Sequence, residues 1–385
     1  MTKRKICIVI TTRGNYAKMS KVMEAIEACP DLELQLILGG GLVLPKYGFD
    51  VEKRIASRFR IDRTVHFLVE GDTPVTMAKS AGLALSDFTT AFDDLAPDFV
   101  VVIADRFECL PIAMAASYMN IPVAHVEGGE VSGSIDESVR HAITKMSHLH
   151  FPATAGAAKR IERLGENPDN IFIVGCTSLD MLTDIDLTDL GPLGEVQRNA
   201  GVGAEVDLSQ PYLLVIQHPV TTEYDDNLAH IRETLSAAQA SGLGVFVIWP
   251  NMDAGSDGIS KGIRHFRETR NPGNFHFFKS LPFEYYATLL NNAACIVGNS
   301  SSGIREASFL GVPSVSIGTR QAGRERGENV VDVSYDHDSI LRAINDQVSH
   351  GRYPRSSIYG NGNAAGMIAS ILRKVQVLPQ KRIIY

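Results

Sequence analysis

Short, almost wholly apolar runs alternate along this chain with longer stretches whose apolar residues recur every three or four positions. Lys5–Thr11, Leu32–Leu38, Phe99–Ile103 and Val123–Val126 are runs of the first kind, rich in Ile, Val and Leu. Because they lack polar alternation, they predict strands buried on both faces, as in a parallel sheet. Met19, Val22, Met23 and Ile26 have helical spacing within 18–28. Met77, Ala81, Ala84, Leu85, Phe88 and Phe92 repeat that spacing after Thr73, a residue suited to cap a helix. Leu110–Met119 reads as an alanine-rich helix, and Val139, Ile143 and Met146 as another that Asp136 can cap.

The second half repeats the alternation. Tyr212–Ile216, Val245–Trp249, Phe275–Phe278, Ile296–Val297 and Val315–Ile317 read as strands, with helices from Pro282 to Leu290 and through Arg305, Glu306 and Phe309. Between Asp180 and Gln210 the pattern fades into aspartates, glycines and a proline. The expected organisation is α/β: a Rossmann-like domain over 1–185, a linker over 186–210 and a second Rossmann-like domain over 211–385, with a ligand cleft between them.

A length of 385 residues suits two such domains. The net charge of −7 argues against nucleic acid or an anionic membrane as partner, since such binders present a basic face. Five scattered cysteines form neither a disulfide framework nor a zinc pattern, and the apolar start is too short for a signal peptide. The expected setting is the cytoplasm, with no metal.

Candidate chemistry falls where apolar runs end. Val123–Val126 opens into HVEGGEVSGSIDESVRHAITK, which holds Glu127, Glu130, Asp136 and Glu137. Carboxylates at the carboxyl end of a parallel strand suit acid/base catalysis; a metal site and a solvated turn with a helix cap are the alternatives. Asp105 and Arg106 stand side by side after Phe99–Ile103. In the second half, Gly298-Asn299-Ser300-Ser301-Ser302-Gly303 lies between a strand and a helix, and Arg320 follows another strand. Backbone N–H groups, hydroxyls and a helix start at one place suit a phosphate.

Taken together, HVEGGEVSGSIDESVRHAITK, IQHPVTT, WPNMDAGS, GNSSSGIRE and IGTRQAGRERGENV resemble, in order, the motifs of the hydrolysing UDP-N-acetylglucosamine 2-epimerases of sialic and legionaminic acid biosynthesis. The resemblance runs from about residue 5 to 375. It implies a GT-B-type fold, a homodimer or homotetramer, no cofactor, and conversion of UDP-GlcNAc to UDP and N-acetylmannosamine by elimination and then hydration. It places Asp105, Glu127 and Asp136 on the catalytic acids and His218 on the active-site histidine. Arg13, Arg106, Asn251, Ser300, Ser301, Glu306 and Arg320 fall on substrate-binding positions, Glu306 suiting a ribose.

The alternatives are the same reaction on a UDP- or GDP-linked 2,4-diacetamido-2,4,6-trideoxy sugar, a GT-B glycosyltransferase, and a nucleotide-sugar sensor without turnover. Two departures from the family pattern bear on the sugar: Gly14-Asn15 replaces the usual Ala-Asp, and Ala104 stands where a glycine usually precedes Asp-Arg.

Overall fold

A computed structural model describes residues 3–44, 49–71, 73–131, 136–250 and 255–384. The chain forms two compact units, Met1–Glu130 with Ile135–Thr183 and Gly360–Tyr385, and Val131–Ser134 with Asp184–Tyr359.

The first unit is built on six parallel strands: β1 (Arg4–Ile10), β2 (Leu32–Gly39), β3 (Arg63–Val65), β4 (Phe99–Ile103), β5 (Val123–Val126) and β6 (Leu149–Phe151). Their order is β3-β2-β1-β4-β5-β6. Side chains alternate across this sheet. Ile6, Ile8 and Ile10 join one core with Met19, Val22 and Ile26, while Cys7 and Val9 join the other with Phe88, Phe92 and Ile112. Both faces are covered, and for that reason the strands read as unbroken apolar runs. The order reverses between β1 and β4, so the loops after these strands diverge to opposite faces and leave room for a ligand at their ends.

The second unit has β7 (Gly201–Gly203), β8 (Tyr212–Ile216), β9 (Gly244–Ile248), β10 (Phe275–Phe278), β11 (Cys295–Gly298), β12 (Ser314–Ile317) and β13 (Val330–Val333) in the order β13-β12-β11-β8-β9-β10-β7. All pairs are parallel except β7 with β10. Here the reversal lies between β8 and β11.

Two expected boundaries move. The stretch 186–210 is no open linker: it holds a helix, Gly191–Ala200, and β7. Glycine fits β7 because a Cβ at Gly201 would lie 1.9 Å from His276 Nε2. Residues 360–385 belong to the first unit, not the second. The helix Ala364–Lys374 buries Ala364, Ala365, Ile368, Ala369 and Leu372 in the core that Ile6, Ile8 and Ile10 line. Asp180 caps this helix by accepting from the N–H groups of Ala364 (3.0 Å) and Ala365 (2.6 Å). Among the described residues no helix is long and apolar enough to cross a membrane.

Candidate active site

In the first unit the acids stand at strand ends and on the helix that follows β5. β4 is followed directly by Ala104 with φ 62° and β5 by Glu127 with φ 59°. Left-handed backbone at two non-glycine residues costs about 1 kcal/mol or more each and persists only where surrounding contacts enforce it. The contacts are present. The Ala104 carbonyl accepts from His125 Nε2 (2.8 Å), whose Nδ1 pairs with Thr144 Oγ1 (3.2 Å). Burial pushes the His125 pKa down to about 3, so the ring is neutral, donating through Nε2 and accepting through Nδ1. Its structural role agrees with its place inside the sheet.

Asp105 is gripped by Arg140, which donates Nε (2.9 Å) and Nη2 to its Oδ2, while Arg140 Nη1 donates to the Glu130 carbonyl (2.8 Å). The Arg140 side chain is 0% exposed and that of Asp105 21%. A buried guanidinium with a fixed fork therefore holds a carboxylate whose edge remains reachable. Arg140 lies on the helix Asp136–Met146, one turn beyond Asp136, so one helix supplies an acid and the clamp on another. Asp136 is half-buried and sits in the first turn, where the N–H groups favour a negative charge.

Glu127 is 1% exposed. Lys18 Nζ donates to its Oε2 (2.6 Å) and Cys176 Sγ to its Oε1 (3.0 Å). Lys18 is reached because Thr12 caps the helix Arg13–Ala28, accepting from Asn15 N–H at 3.1 Å. Arg13 is exposed in the first turn of that helix, and Asn15 is buried with its amide donating to Thr11 Oγ1 (3.3 Å). Arg106 meets Glu108, Nε to Oε2 at 3.2 Å, and Glu108 is 2% exposed. That pairing was not expected of a nucleotide contact. The acids of this unit are thus matched with cations, Asp105 with Arg140 and Glu127 with Lys18.

In the second unit, Asn299 joins the ends of β8 and β11. Its Oδ1 accepts from His218 N–H (2.6 Å), and its Nδ2 donates to the His218 carbonyl (2.8 Å). Its own N–H donates to the Ile216 carbonyl (3.1 Å). The approach requires Gly298: at φ 130° a Cβ would lie 2.1 Å from the Ile216 oxygen. Arg320 Nη1 (3.1 Å) and Gln321 Nε2 (2.8 Å) donate to the Asn299 carbonyl. One asparagine therefore gathers His218, the serine loop and Arg320.

Ser300 caps a 3₁₀ turn over Ser301–Gly303, accepting from Ser302 N–H at 3.3 Å. Glu306, 7% exposed, opens the helix Glu306–Leu310. That helix is shorter than the sequence suggests, so an anion here would rely on the turn's N–H groups and hydroxyls more than on a helix dipole. Asn251 lies outside the described residues. Arg140, Lys18, Cys176, Glu108 and Gln321 are the residues that sequence reasoning passed over, although Arg140 stands four places after Asp136 within the acidic stretch; Asn299 was read only as part of the phosphate-type loop, not as the residue that holds His218. Among the described residues no group of three or more His, Cys, Asp or Glu is arranged to hold a metal ion.

The chain resembles solved structures over nearly its full length. The UDP-GlcNAc 2-epimerase of Neisseria meningitidis bound to UDP-GlcNAc superposes with TM-score 0.78 at 16% identity, covering 96% of this chain and 99% of that one. The Methanocaldococcus jannaschii UDP-GlcNAc 2-epimerase in complex with UDP-GlcNAc and UDP gives 0.78 at 19% identity, covering 96% and 99%. These likenesses confirm the fold: two Rossmann-like α/β units of the GT-B type. In sequence, a UDP-N,N'-diacetylbacillosamine 2-epimerase (hydrolyzing) of Legionella pneumophila is 33% identical, covering 98% of this chain and 97% of that protein. A UDP-N-acetylglucosamine 2-epimerase of Neisseria meningitidis serogroup B is 32% identical, covering 94% and 92%. The family model described as UDP-N-acetylglucosamine 2-epimerase matches residues 24–373, and the chain belongs to that family.

Proposed function

We propose that the protein is a hydrolysing 2-epimerase of a UDP-linked 2-acetamido sugar, converting UDP-GlcNAc to UDP and free N-acetylmannosamine. The observation that carries this is the matching of Asp105 with Arg140 and Glu127 with Lys18 at the ends of β4 and β5. Carboxylates fixed by cations in this way suit a reaction that must remove a weakly acidic C2 proton and stabilise positive charge on the ring.

The reaction has two steps. The C1–O bond breaks, UDP leaves with the electron pair, a carboxylate takes the C2 proton, and a C1–C2 double bond remains. Water then bonds to C1 while a proton returns to C2 from the opposite face, inverting that centre. Asp105, Glu127 and Asp136 take and return these protons. His218, Arg13, Arg106, Arg320, Ser300 and Ser301 hold the diphosphate as its charge grows, Asn251 adds a nucleotide contact, and Glu306 accepts from the ribose hydroxyls.

A second reading keeps the chemistry and changes the sugar to a UDP- or GDP-linked 2,4-diacetamido-2,4,6-trideoxy hexose. It is favoured by the Legionella pneumophila relative at 33% identity and by a Campylobacter jejuni GDP/UDP-N,N'-diacetylbacillosamine 2-epimerase (hydrolyzing) at 32%. We place the enzyme in the cytoplasm, where its five free cysteines stay reduced, and as a homodimer or homotetramer, which light scattering measures.

Chromatography of purified enzyme with each UDP-sugar tests the function. Equimolar UDP and free epimerised sugar, without an acceptor, is the expected outcome. An intact epimerised UDP-sugar, an acceptor requirement, or tight binding without turnover would each replace the proposal.

A further inference from the structure

The last residues of the chain reach the helix that carries Asp136 and Arg140. Beyond the helix Ala364–Lys374, residues 375–384 adopt neither helix nor strand, and Leu378, Ile383 and Ile384 stay exposed. Polar anchors hold this segment to the first unit. The Pro379 carbonyl accepts from His148 Nε2 (2.9 Å), and Ile384 N–H donates to the Gly165 carbonyl (3.0 Å). Lys381 uses all three of its donors: Nζ donates to Glu166 Oε2 (2.5 Å) and to the carbonyls of Thr144 (3.0 Å) and Lys145 (2.8 Å). Glu166, its side chain 1% exposed, also accepts from Lys145 Nζ (2.6 Å) and His150 Nε2 (3.1 Å). Burial alone would raise its pKa, but its three donors bring it down to about 2, so an ionised carboxylate fixes the ammonium.

Thr144 and Lys145 lie in the last turn of the helix Asp136–Met146, whose final carbonyls find no partner within the helix. A cation there also suits the negative end of the helix dipole. Arg140 and Thr144 are four residues apart and share one face of this helix. They reach consecutive residues beyond β4. Arg140 clamps Asp105, while Thr144 Oγ1 pairs with His125, whose Nε2 donates to the Ala104 carbonyl. A slide or turn of the helix would therefore shift both contacts together. We propose that Lys381 is a positioning residue for the reaction: by pinning the last turn of this helix, it sets where Arg140 holds Asp105. The inference rests on the assignment of Asp105 to catalysis made above.

The test compares steady-state kinetics on a UDP-sugar that wild type hydrolyses, UDP calorimetry and thermal melting. The variants are Lys381→Met, Glu166→Gln, and Lys381→Met combined with Arg140→Met. In Lys381→Met, kcat should fall about tenfold at a temperature well below melting, a loss of the size that a small misplacement of reacting groups produces. KM and UDP affinity should stay within about twofold of wild type, because the loss falls on the chemical step. Added to Arg140→Met, the Lys381 change should cost less than about threefold more, since most of its effect passes through the clamp already lost. Glu166→Gln should lose about threefold in kcat, because a neutral amide holds the ammonium less firmly. Wild-type kcat in Lys381→Met, or in Glu166→Gln where the first variant does not fold, would make Lys381 a helix cap alone and overturn the inference. Full additivity with Arg140→Met would overturn it too. Near-normal turnover in Asp105→Asn overturns the acid assignment instead, whatever Lys381→Met does.

Discussion

Asn299 holds His218 by both backbone groups, accepting from its N–H at 2.6 Å and donating to its carbonyl at 2.8 Å. A side-chain amide here takes the place of a strand pair beyond the ends of β8 and β11, so the histidine and the serine loop are held as one piece. Asn299→Ala would leave two buried backbone groups of His218 without these partners, at about 1–3 kcal/mol each. We expect a drop of several degrees in melting temperature and at least tenfold weaker UDP binding, measured by calorimetry. Asn299→Asp keeps the acceptor but loses the donor, and should fall between the two.

Arg140 does for Asp105 what Asn299 does for His218. Arg140→Met removes a buried cation from a carboxylate, a loss of about 3–5 kcal/mol where such a pair is buried. Turnover should fall by two orders of magnitude or more while UDP affinity stays near wild type, and Arg140→Lys should rescue little because it lacks the planar fork. Asp105→Asn should show the same split between turnover and UDP binding. Steady-state kinetics beside UDP titration check both; near-normal turnover in Asp105→Asn would remove Asp105 from the catalytic set.

Much of this was legible in the chain. Strands buried on both faces announce themselves as apolar runs, and acids at their ends mark where a doubly wound sheet does its chemistry. What was hidden is partnership. The stripe Ala364, Ile368, Leu372 says helix, but an amphipathic face does not say which sheet receives it, and so residues 360–385 were expected in the wrong unit. In the same way Lys18 and Glu127 are 109 positions apart and Arg140 and Asp105 are 35 apart, so only the fold brings each cation to its acid. The short edge strand β7 was lost because glycines, which it needs to clear His276, read as loop.

Ala104 occupies a left-handed position at φ 62°, backbone that favours glycine. Ala104→Gly relieves that strain but adds unfolded-state entropy, so the unfolding free energy from urea titration should stay level or rise by up to about 1 kcal/mol, with turnover retained. Ala104→Val, β-branched at positive φ, should lower the midpoint clearly.

His125 is buried and neutral, with its pKa pushed down to about 3. As pH falls below about 6.5 the unfolded chain takes up a proton that the folded ring refuses, so stability declines by up to about 1.4 kcal/mol per pH unit from this group until the pH nears 3. Burial pushes His148 and His150 the same way. Urea unfolding at pH 7, 6 and 5 should show this fall, and His125→Gln should flatten it by about one proton's worth while starting from lower stability at pH 7.

The central claim is that carboxylates at the ends of β4 and β5 drive elimination of UDP and re-addition of a proton at C2. Proton NMR of the enzyme with UDP-GlcNAc in D2O, and in parallel with the UDP-linked diacetamido sugar, tests it most directly. The account predicts UDP together with a free 2-epimeric sugar carrying deuterium at C2. A free sugar that retains its C2 proton, or UDP release with the original configuration at C2, would contradict it.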